Sequence, residues 1–461
     1  MFFKVALWCG FGALPLAAQQ ATEPAAARAE SEGSLTLLPH PEASRYLISG
    51  QANIIFQAHT PFHSPYEGPN SLLSRGEYKT SMIGTIYTGF ELNPHSRFAT
   101  DVILDVESAG GRGISEALGL AGFTNLDVVR NPNLGSTPYL ARYEVHQVVG
   151  FSDKLSESGR TPFSLQPSLP ETRLEFWVGR MSLPDLMDLN SGGSDSHLQF
   201  LNWSIDNNGA WDYAANTRGY TDAAVVAFSA RDFTARYAFA AMPTVANGID
   251  LSYDLKATNG HNGELEWRRG LVPGRKGAVR LLGFVNHANM GNYRVQNQLF
   301  LAGGTTALQI TAHPQQSTVK YGVGANFEQE VSANGRVFGR VGWNDGATES
   351  YAYTEIDQTF EVGADYSLKG FGRPDDKVGI TFVTNAIKRD HQWYLAHGGL
   401  GFLLGDGKLN YAREDIVEAY YNYHLWKGVY YALDEQFVGH PGYNGDRGPV
   451  MVESVRMHVD F

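Results

Sequence analysis

The feature that most constrains the fold of this chain is a recurring alternation of apolar and polar residues with a period of two. In the clearest segment the apolar residues are Val319, Tyr321, Val323, Ala325 and Phe327. Similar alternation occurs in 141–149, in 360–368 and in 455–461. Because successive side chains of a β-strand point to opposite faces, each segment is predicted to be a strand with one apolar and one polar face.

Two architectures produce such strands: a soluble sandwich with a dry interior, or a transmembrane barrel whose apolar face meets lipid. Long Gly/Asn/Asp/Ser stretches at 190–196 and 344–350 contrast with a short turn at 332–335, as in barrels with long loops at one end. Aromatic residues cluster at the ends of predicted strands, as in interfacial girdles: Tyr420, Tyr421, Tyr423, Trp426, Tyr430 and Tyr431. We therefore predict an all-β fold, a closed transmembrane antiparallel β-barrel.

Length and composition support this prediction and bound the number of strands. The chain has 461 residues, of which 51 are glycine, 12% are aromatic and 18% are charged. This composition excludes a disordered chain and a coiled coil. With strands of about 10 residues, the length predicts about 16 strands, with about 18 as the alternative.

The N-terminal segment is predicted to direct export. Lys4 is followed by a short apolar stretch, Val5 to Ala18, which is typical of a secretory signal peptide (1–18). Residues 19–42 are predicted to be a flexible leader and 43–461 the barrel. The single cysteine, Cys9, lies in the signal segment, so the mature chain is predicted to have no disulfide and no thiolate metal site.

Charge and motif searches exclude several classes of function. The net charge is −12 and no dense Lys/Arg run occurs, so nucleic acid is not an expected partner. We find no nucleophile-elbow, zinc-protease or phosphate-loop motif, and the 14 histidines are scattered. The chain is therefore not predicted to be an enzyme, and no cofactor or metal is expected.

The polar face of the predicted strands carries charged residues that would line the interior. These residues are Arg142, Glu144, Arg173, Glu175, Arg236, Lys320, Glu328, Arg336 and Arg340. The pairs Arg142/Glu144 and Arg173/Glu175 are the strongest candidates for a functional site, because both partners of each pair face one side of one strand. The alternative is that most of these are ordinary solvated charges of a polar interior.

Five segments resemble the carbohydrate-selective porin (OprB) family of Gram-negative outer membranes, in family order. They are FHSPYEGPNSL (62–72), ISEALGLAGFTNLD (114–127), VGRMSLPDLMD (178–188), QFLNWSIDNNGAWDYAANTRGYT (199–221) and GYNGDRGPVMVESVRMHVDF (442–461). The resemblance implies a barrel of about 16 strands with long extracellular loops, some of them folded into the pore. It also implies passive uptake of sugars, such as glucose, through a constriction lined by Arg and Glu, and it favours a monomer in the outer membrane.

The segment 199–221 supplies two further candidate pore residues, Asp212 and Arg218. The alternative is a structural corner in which Trp211 anchors the loop. Phe461, at the end of an alternating strand, resembles the signal read by the barrel assembly machinery, although closure of the last strand would also explain it. Two other functions stay open: an outer-membrane enzyme of lipase or protease type, and a general or structural barrel without sugar preference.

Overall fold

Sixteen antiparallel strands pair side by side into a closed barrel, which confirms the predicted fold and strand number. This computed structural model describes residues 36–38, 40, 44–94, 97–130, 134–157, 160–311 and 317–461. The predicted signal peptide (1–18) and most of the predicted leader (19–42) lie outside the described residues. The strands are β1 (Tyr46–His59), β2 (Glu77–Asn93), β3 (Thr100–Gly111), β4 (Tyr139–Gly150), β5 (Leu155–Glu157), β6 (Ser168–Pro170), β7 (Thr172–Met181), β8 (Thr221–Ala230), β9 (Phe233–Ala240), β10 (Asn259–Trp267), β11 (Gly277–Ala288), β12 (Thr318–Glu330), β13 (Gly335–Asn344), β14 (Gln358–Ser367), β15 (Lys377–Ala386), β16 (Glu414–Trp426), β17 (Val429–Gly439) and β18 (Val450–Asp460).

The ring closes between the first and the last strand, while β5 and β6 form a separate small hairpin. In the closing pair, Gln51 lies opposite Asp460 and His59 opposite Val452. Phe461 extends this pairing, because it exchanges backbone hydrogen bonds of 2.7 and 2.9 Å with Gly50. Its recognition by the assembly machinery stays a prediction.

The predicted alternation on β12 separates a lipid-facing surface from the barrel interior. Val319, Tyr321 and Val323 are exposed on the outer surface, whereas Lys320 between them is completely buried. A barrel in a bilayer needs this arrangement, since the outer band meets acyl chains and the inner face meets polar groups.

On β4 the alternation is interrupted by a β-bulge. Asp105 of β3 pairs with Arg142, but the next residue, Val106, pairs with Leu140. Ala141, which strict alternation places on the outer face, is therefore buried together with Arg142. Bulges insert one unpaired residue and re-aim the neighbouring side chain, which explains the difference.

Connections differ sharply between the two ends of the barrel. One end has tight turns such as 231–232, 331–334 and 427–428, connections of intermediate length at 268–276 and 368–376, and a longer one at 151–171. The other end carries the long connections 60–76, 112–138, 182–220, 289–317 and 387–413. In outer-membrane barrels the short turns face the periplasm and the long loops the exterior.

Among the described residues, the α-helices lie in the long connections and are short: Trp203–Asp206, Tyr293–Leu301 and Arg389–Ala396. A 3-10 helix, Leu368–Phe371, lies at the short-turn end. In the described part of the chain, none has the length and apolar character needed to cross a bilayer. The largest apolar core lies inside the barrel, where residues of 112–138 and 182–220 pack together, among them Leu120, Phe123, Met187, Phe200, Ile205 and Trp211. The interior is thus largely filled by inward-folded loops.

Candidate functional site

The connection 182–220, here called the inner loop, is fastened to the opposite wall by a buried arginine. Arg340 of β13 donates hydrogen bonds to the backbone carbonyls of Ile205 (2.6 Å) and Asp206 (3.0 Å). The same guanidinium lies 3.1 Å from Glu361 and 3.0 Å from Asp188, and none of these three side chains is more than 2% exposed. A planar fork with five donors can hold several acceptors at once, so Arg340 fixes the loop in one position.

Two further wall residues, Glu418 and Arg456, hold the same loop from the β16–β18 side. The Glu418 carboxylate accepts hydrogen bonds from the backbone N–H groups of Leu201 (2.5 Å) and Asn202 (3.2 Å). Arg456 donates to the carbonyls of Ser196 (2.7 Å) and Gln199 (2.8 Å). Buried backbone groups need such partners, which explains why the inner loop can lie inside the barrel.

The second inward-folded connection, 112–138, is fastened in a similar way. The carboxylate of Glu414 accepts hydrogen bonds from the backbone N–H groups of Ala121 (3.1 Å) and Gly122 (2.8 Å). Because Glu414 has no exposed surface, these backbone N–H groups give its buried carboxylate the partners it needs. Together the two loops fill most of the interior and leave one side open.

A cavity of about 370 Å³ lies between the inner loop and the wall made by β1 to β4. A smaller cavity of about 290 Å³ shares Asp127 and Arg218 with it and reaches Gly111 and Arg112 at the long-loop end. The charged and titratable lining residues of the larger cavity are Glu107, Asp127, Arg130, Arg142, Asp185, Asp195, His197, Asp206 and Arg218. Its aromatic lining residues are Tyr87, Tyr139, Phe163, Trp203, Tyr213, Tyr220 and Tyr353.

Arg142 projects from the bulge of β4 to the cavity and contacts acids on both sides. Its Nε and Nη2 atoms donate to the two carboxylate oxygens of Asp185 at 2.7 and 2.9 Å. Its Nη1 atom lies 3.4 Å from Asp105. The guanidinium also lies over the rings of Phe163 and Tyr220, at 4.7 and 5.1 Å from their centroids. Arg142 therefore presents fixed donors beside aromatic surface.

Arg218 lies further toward the long-loop end, where it covers an aromatic ring. Its Cζ atom is 3.6 Å from the ring centroid of Tyr139. The hydroxyls of Tyr139 and Tyr220 both donate to the carboxylate of Glu107, the second at 2.9 Å. Arginines and carboxylates thus face the same small volume, which offers both hydrogen-bond donors and acceptors.

A run of stacked rings borders the same cavity on the inner-loop side. Trp203 and Tyr353 stack almost parallel, with centroids 5.7 Å apart and an interplanar angle of 6°. Tyr213 packs against Tyr353 at 4.9 Å. The Trp203 indole N–H donates to the carbonyl of Asn125 at 2.8 Å, which joins the two inward-folded connections.

His197 and Asp127 form an ion pair at 3.3 Å across the two inward-folded connections. Burial alone would lower the pKa of His197, but the carboxylate of Asp127, aided by Asp195 and opposed by Arg456, raises it to about 9. The imidazole of His458 stacks on His197 at 5.4 Å. Since His197 keeps 24% of its side chain exposed, cavity water can exchange its proton.

This pair predicts a dependence of the channel on alkaline pH. The pKa of folded His197 lies above its ordinary value of 6.5, so its stabilising contribution is complete below that value and is lost as the pH rises through about 9. We expect the contact between the loops to loosen and the ion conductance to rise over that range. Planar-bilayer recordings from about pH 7 to about pH 10 measure this. His197→Gln should remove the step, and an unchanged step in that variant would contradict the assignment.

Of the predicted site residues, Arg142 and Arg218 line the cavity. Glu144 is buried on the same inner face. Arg173 and Glu175 contact each other at 2.7 Å, and Glu175 also lies 3.3 Å from His146. The participation of each in permeation stays a prediction.

The other predicted residues lie in ion pairs elsewhere on the inner wall or the inner loop, among them Glu328, which contacts Arg280 at 2.8 Å. Arg236 contacts Glu264 (2.8 Å) and Glu266 (2.6 Å). Arg336 contacts Asp365 at 2.5 Å, and Arg340 holds the inner loop as described above. Asp212 accepts hydrogen bonds from the backbone N–H of Tyr351 and lies 3.5 Å from Lys320, whereas Trp211 donates to Asn262 at 2.9 Å.

Several cavity residues were missed by the sequence reasoning although signals for them exist. Glu107 follows Asp105 at a spacing of two on β3, so the alternation itself could have identified it. Asp127 and Asp185 lie within the family-like segments 114–127 and 178–188. Arg130 and His197 carry no local signal. Among the described residues, no group of three or more His, Cys, Asp or Glu is placed to hold a metal ion.

A closed sixteen-stranded barrel with loops folded inward around a narrow charged cavity defines a porin, a channel protein of the outer membrane. The chain belongs to the carbohydrate-selective porin, OprB family, whose family model matches residues 104–461. Membership indicates a channel rather than an enzyme.

A solved structure supports the same fold. OprB of Pseudomonas putida, in its high-pH structure, superposes with a TM-score of 0.67 at 16% identity, covering 90% of this chain and 94% of that chain. OmpF of Salmonella typhi gives a TM-score of 0.49 at 11% identity, covering 91% of this chain and 98% of that chain. No curated protein sequence matches.

Proposed function

We propose that this porin lets small neutral sugars, such as glucose, diffuse passively across the outer membrane through the cavity lined by Arg130, Arg142 and Arg218. The observation that carries the proposal is the juxtaposition of these arginines with carboxylates and aromatic rings in one narrow space. Sugar hydroxyls both donate and accept hydrogen bonds, and selectivity in pores depends on diameter and lining groups. A sugar can therefore replace its water shell with contacts to this wall.

The size of the cavity favours a small substrate. Its volume of about 370 Å³ lies at the lower end of the range for small-molecule sites, about 300–1,000 Å³. Opposed arginines and carboxylates also create a field across the passage, which orients dipoles without favouring one net charge. A neutral mono- or disaccharide meets both conditions, whereas a larger oligosaccharide would exceed the available volume.

Ion-current recordings with a panel of sugars test this proposal. We expect purified protein in planar bilayers to form open channels whose current is reduced by glucose and other monosaccharides. Liposome swelling should be faster with monosaccharides than with trisaccharides, since the cavity limits size. The same salt solution without sugar provides the control for the unblocked current. A barrel that conducts salt but shows no sugar dependence would indicate a general porin, and a barrel that conducts nothing would indicate a structural role.

We also propose that residues 1–18 direct export and that the barrel acts as a monomer. Lys4 and the apolar stretch to Ala18 support the first part. The second part rests on the family resemblance, and the mass of the detergent-solubilised protein by light scattering tests it.

A further inference from the structure

In the connection 151–171 at the short-turn end, residues 163–166 form a tip that enters the barrel. Its two arms form the hairpin of β5 and β6. Beyond the arms the chain turns at Thr161 and Ser164, where the backbone N–H of Thr161 donates to the carbonyl of Ser164 at 2.9 Å. The residues that follow this turn are buried against the inner wall.

Leu165 anchors the tip in a socket of the wall. Its side chain is completely buried in an apolar cluster with Leu47 and Ile103. Gly89 of β2 makes room for it, since a Cβ atom there would lie 2.5 Å from Leu165 Cδ1. The backbone N–H of Leu165 donates to Asp101 at 3.2 Å. The wall is thus complementary to the tip in shape and in hydrogen bonding.

Gln166 extends this anchoring to two buried acids. Its amide nitrogen donates to Asp101 at 2.9 Å and to Glu91 at 3.0 Å. A buried carboxylate without a partner is costly, so these bonds stabilise the docked position of the tip. The tip is therefore a fixed part of the channel wall.

Phe163, at the turn, is the residue of the tip that reaches the cavity described above. Its ring is partly buried and belongs to the cavity lining. Tyr87 of β2 packs edge-on against it, with centroids 6.2 Å apart. The guanidinium of Arg142, on β4, lies 4.7 Å from the centroid of the Phe163 ring. Phe163 therefore forms the floor of the cavity at the periplasmic end.

We propose that Phe163, Tyr87 and Arg142 form an exit subsite that binds one pyranose ring before it leaves toward the periplasm. This inference rests on the proposed sugar permeation. The apolar C–H face of a pyranose packs on an aromatic ring, while its hydroxyls need the donors and acceptors that Arg142 and Asp185 supply. The hairpin 151–171 is then a second selectivity element, built from the periplasmic side.

Substitutions of Phe163 test this subsite. Phe163→Leu keeps an apolar side chain on the tip and removes the aromatic face, whereas Phe163→Ala also removes its bulk. We expect both to weaken sugar block of the ion current roughly two- to tenfold, the range that corresponds to aromatic contacts of about 0.5–1.5 kcal/mol. Phe163→Trp should retain the block. The effect should be larger for glucose added on the periplasmic side.

Phe151→Ala is the matched control, because Phe151 lies in the same connection and is 57% exposed. It should leave the sugar block unchanged. If wild-type current is blocked by sugars and Phe163→Leu is blocked equally, the exit subsite is wrong and the proposed function stands. If wild-type current is insensitive to every sugar, the proposed function fails together with the subsite.

Discussion

Replacing Arg340 with methionine is expected to detach the inner loop 182–220 and raise the ion conductance of the barrel several-fold. The substitution leaves the carboxylates of Asp188 and Glu361 buried without their cation. Removing one partner of a buried ion pair costs about 3–5 kcal/mol, more than a single loop contact can supply. The loop should then leave its position against β13, and the cavity should widen.

Conductance in planar bilayers and thermal unfolding by circular dichroism measure this outcome. Arg340→Lys keeps the charge but loses the planar fork, so an intermediate effect is expected. Arg268→Met is the control: Arg268 donates to Thr234 (2.7 Å) and to the carbonyl of Arg231 (3.1 Å), at the short-turn end. The conductance of the Arg268→Met channel should match that of the wild-type channel.

An Arg340→Met channel with wild-type conductance would show that other anchors suffice. The candidates are Glu418 and Arg456, which bind backbone groups of the same loop. Close packing at Gly342 of β13 could also keep the inner loop against this strand. A Cβ atom at Gly342 would lie 2.0 Å from Asn208 Oδ1 of the loop, so only glycine allows this approach. The close approach at Gly342 holds the loop by shape rather than by charge.

The barrel could be predicted from the sequence because its signal is local and repeated. Each strand carries its own alternation, as Val319 to Phe327 on β12 illustrate, and lipid outside the barrel forces that pattern. The strand number followed from chain length. The structure departs from the pattern at Ala141, where a single bulge moves one residue to the inner face.

The filling of the barrel could not be predicted in the same way. The two inward-folded connections are held by contacts between distant residues, such as Leu201 with Glu418 for 182–220 and Ala121 with Glu414 for 112–138. These bonds use backbone N–H groups, which every residue except proline has, so the sequence carries no mark of them. Inward charges could be predicted, but which of them border the remaining cavity depends on where the loops lie.

The pair Arg142 and Arg173 shows this limit and supplies the second large prediction. Both were predicted on the inner faces of their strands. Arg142 lines the cavity and contacts Asp185, whereas Arg173 donates to Glu175 at 2.7 Å and to the carbonyl of Pro170 at 3.0 Å. The same substitution at both positions therefore distinguishes the effect of a charge that lines the cavity, at Arg142, from the effect of a charge that is paired within the wall, at Arg173.

Arg142→Ala is expected to make the channel cation-selective and to weaken sugar block. The substitution removes a positive charge, leaves Asp185 and Glu107 facing the cavity, and leaves the buried Asp105 without its arginine partner. One charge acting over about 8 Å at an effective dielectric constant of about 20 is worth roughly 2 kcal/mol, so the cation-to-anion permeability ratio should rise at least about tenfold. Reversal potentials in a salt gradient measure this ratio.

Arg173→Ala should shift neither the reversal potential nor the sugar block, because its charge is neutralised by Glu175 away from the cavity. Arg142→Lys separates two roles of Arg142, since it keeps the charge and loses the bidentate fork toward Asp185. Ion selectivity should then stay near wild type while sugar block weakens. A strong effect of Arg173→Ala combined with a weak one of Arg142→Ala would place the constriction at the β7 wall beside the hairpin. In that case the narrowest point of the passage would lie on the periplasmic side of Phe163 rather than on its extracellular side.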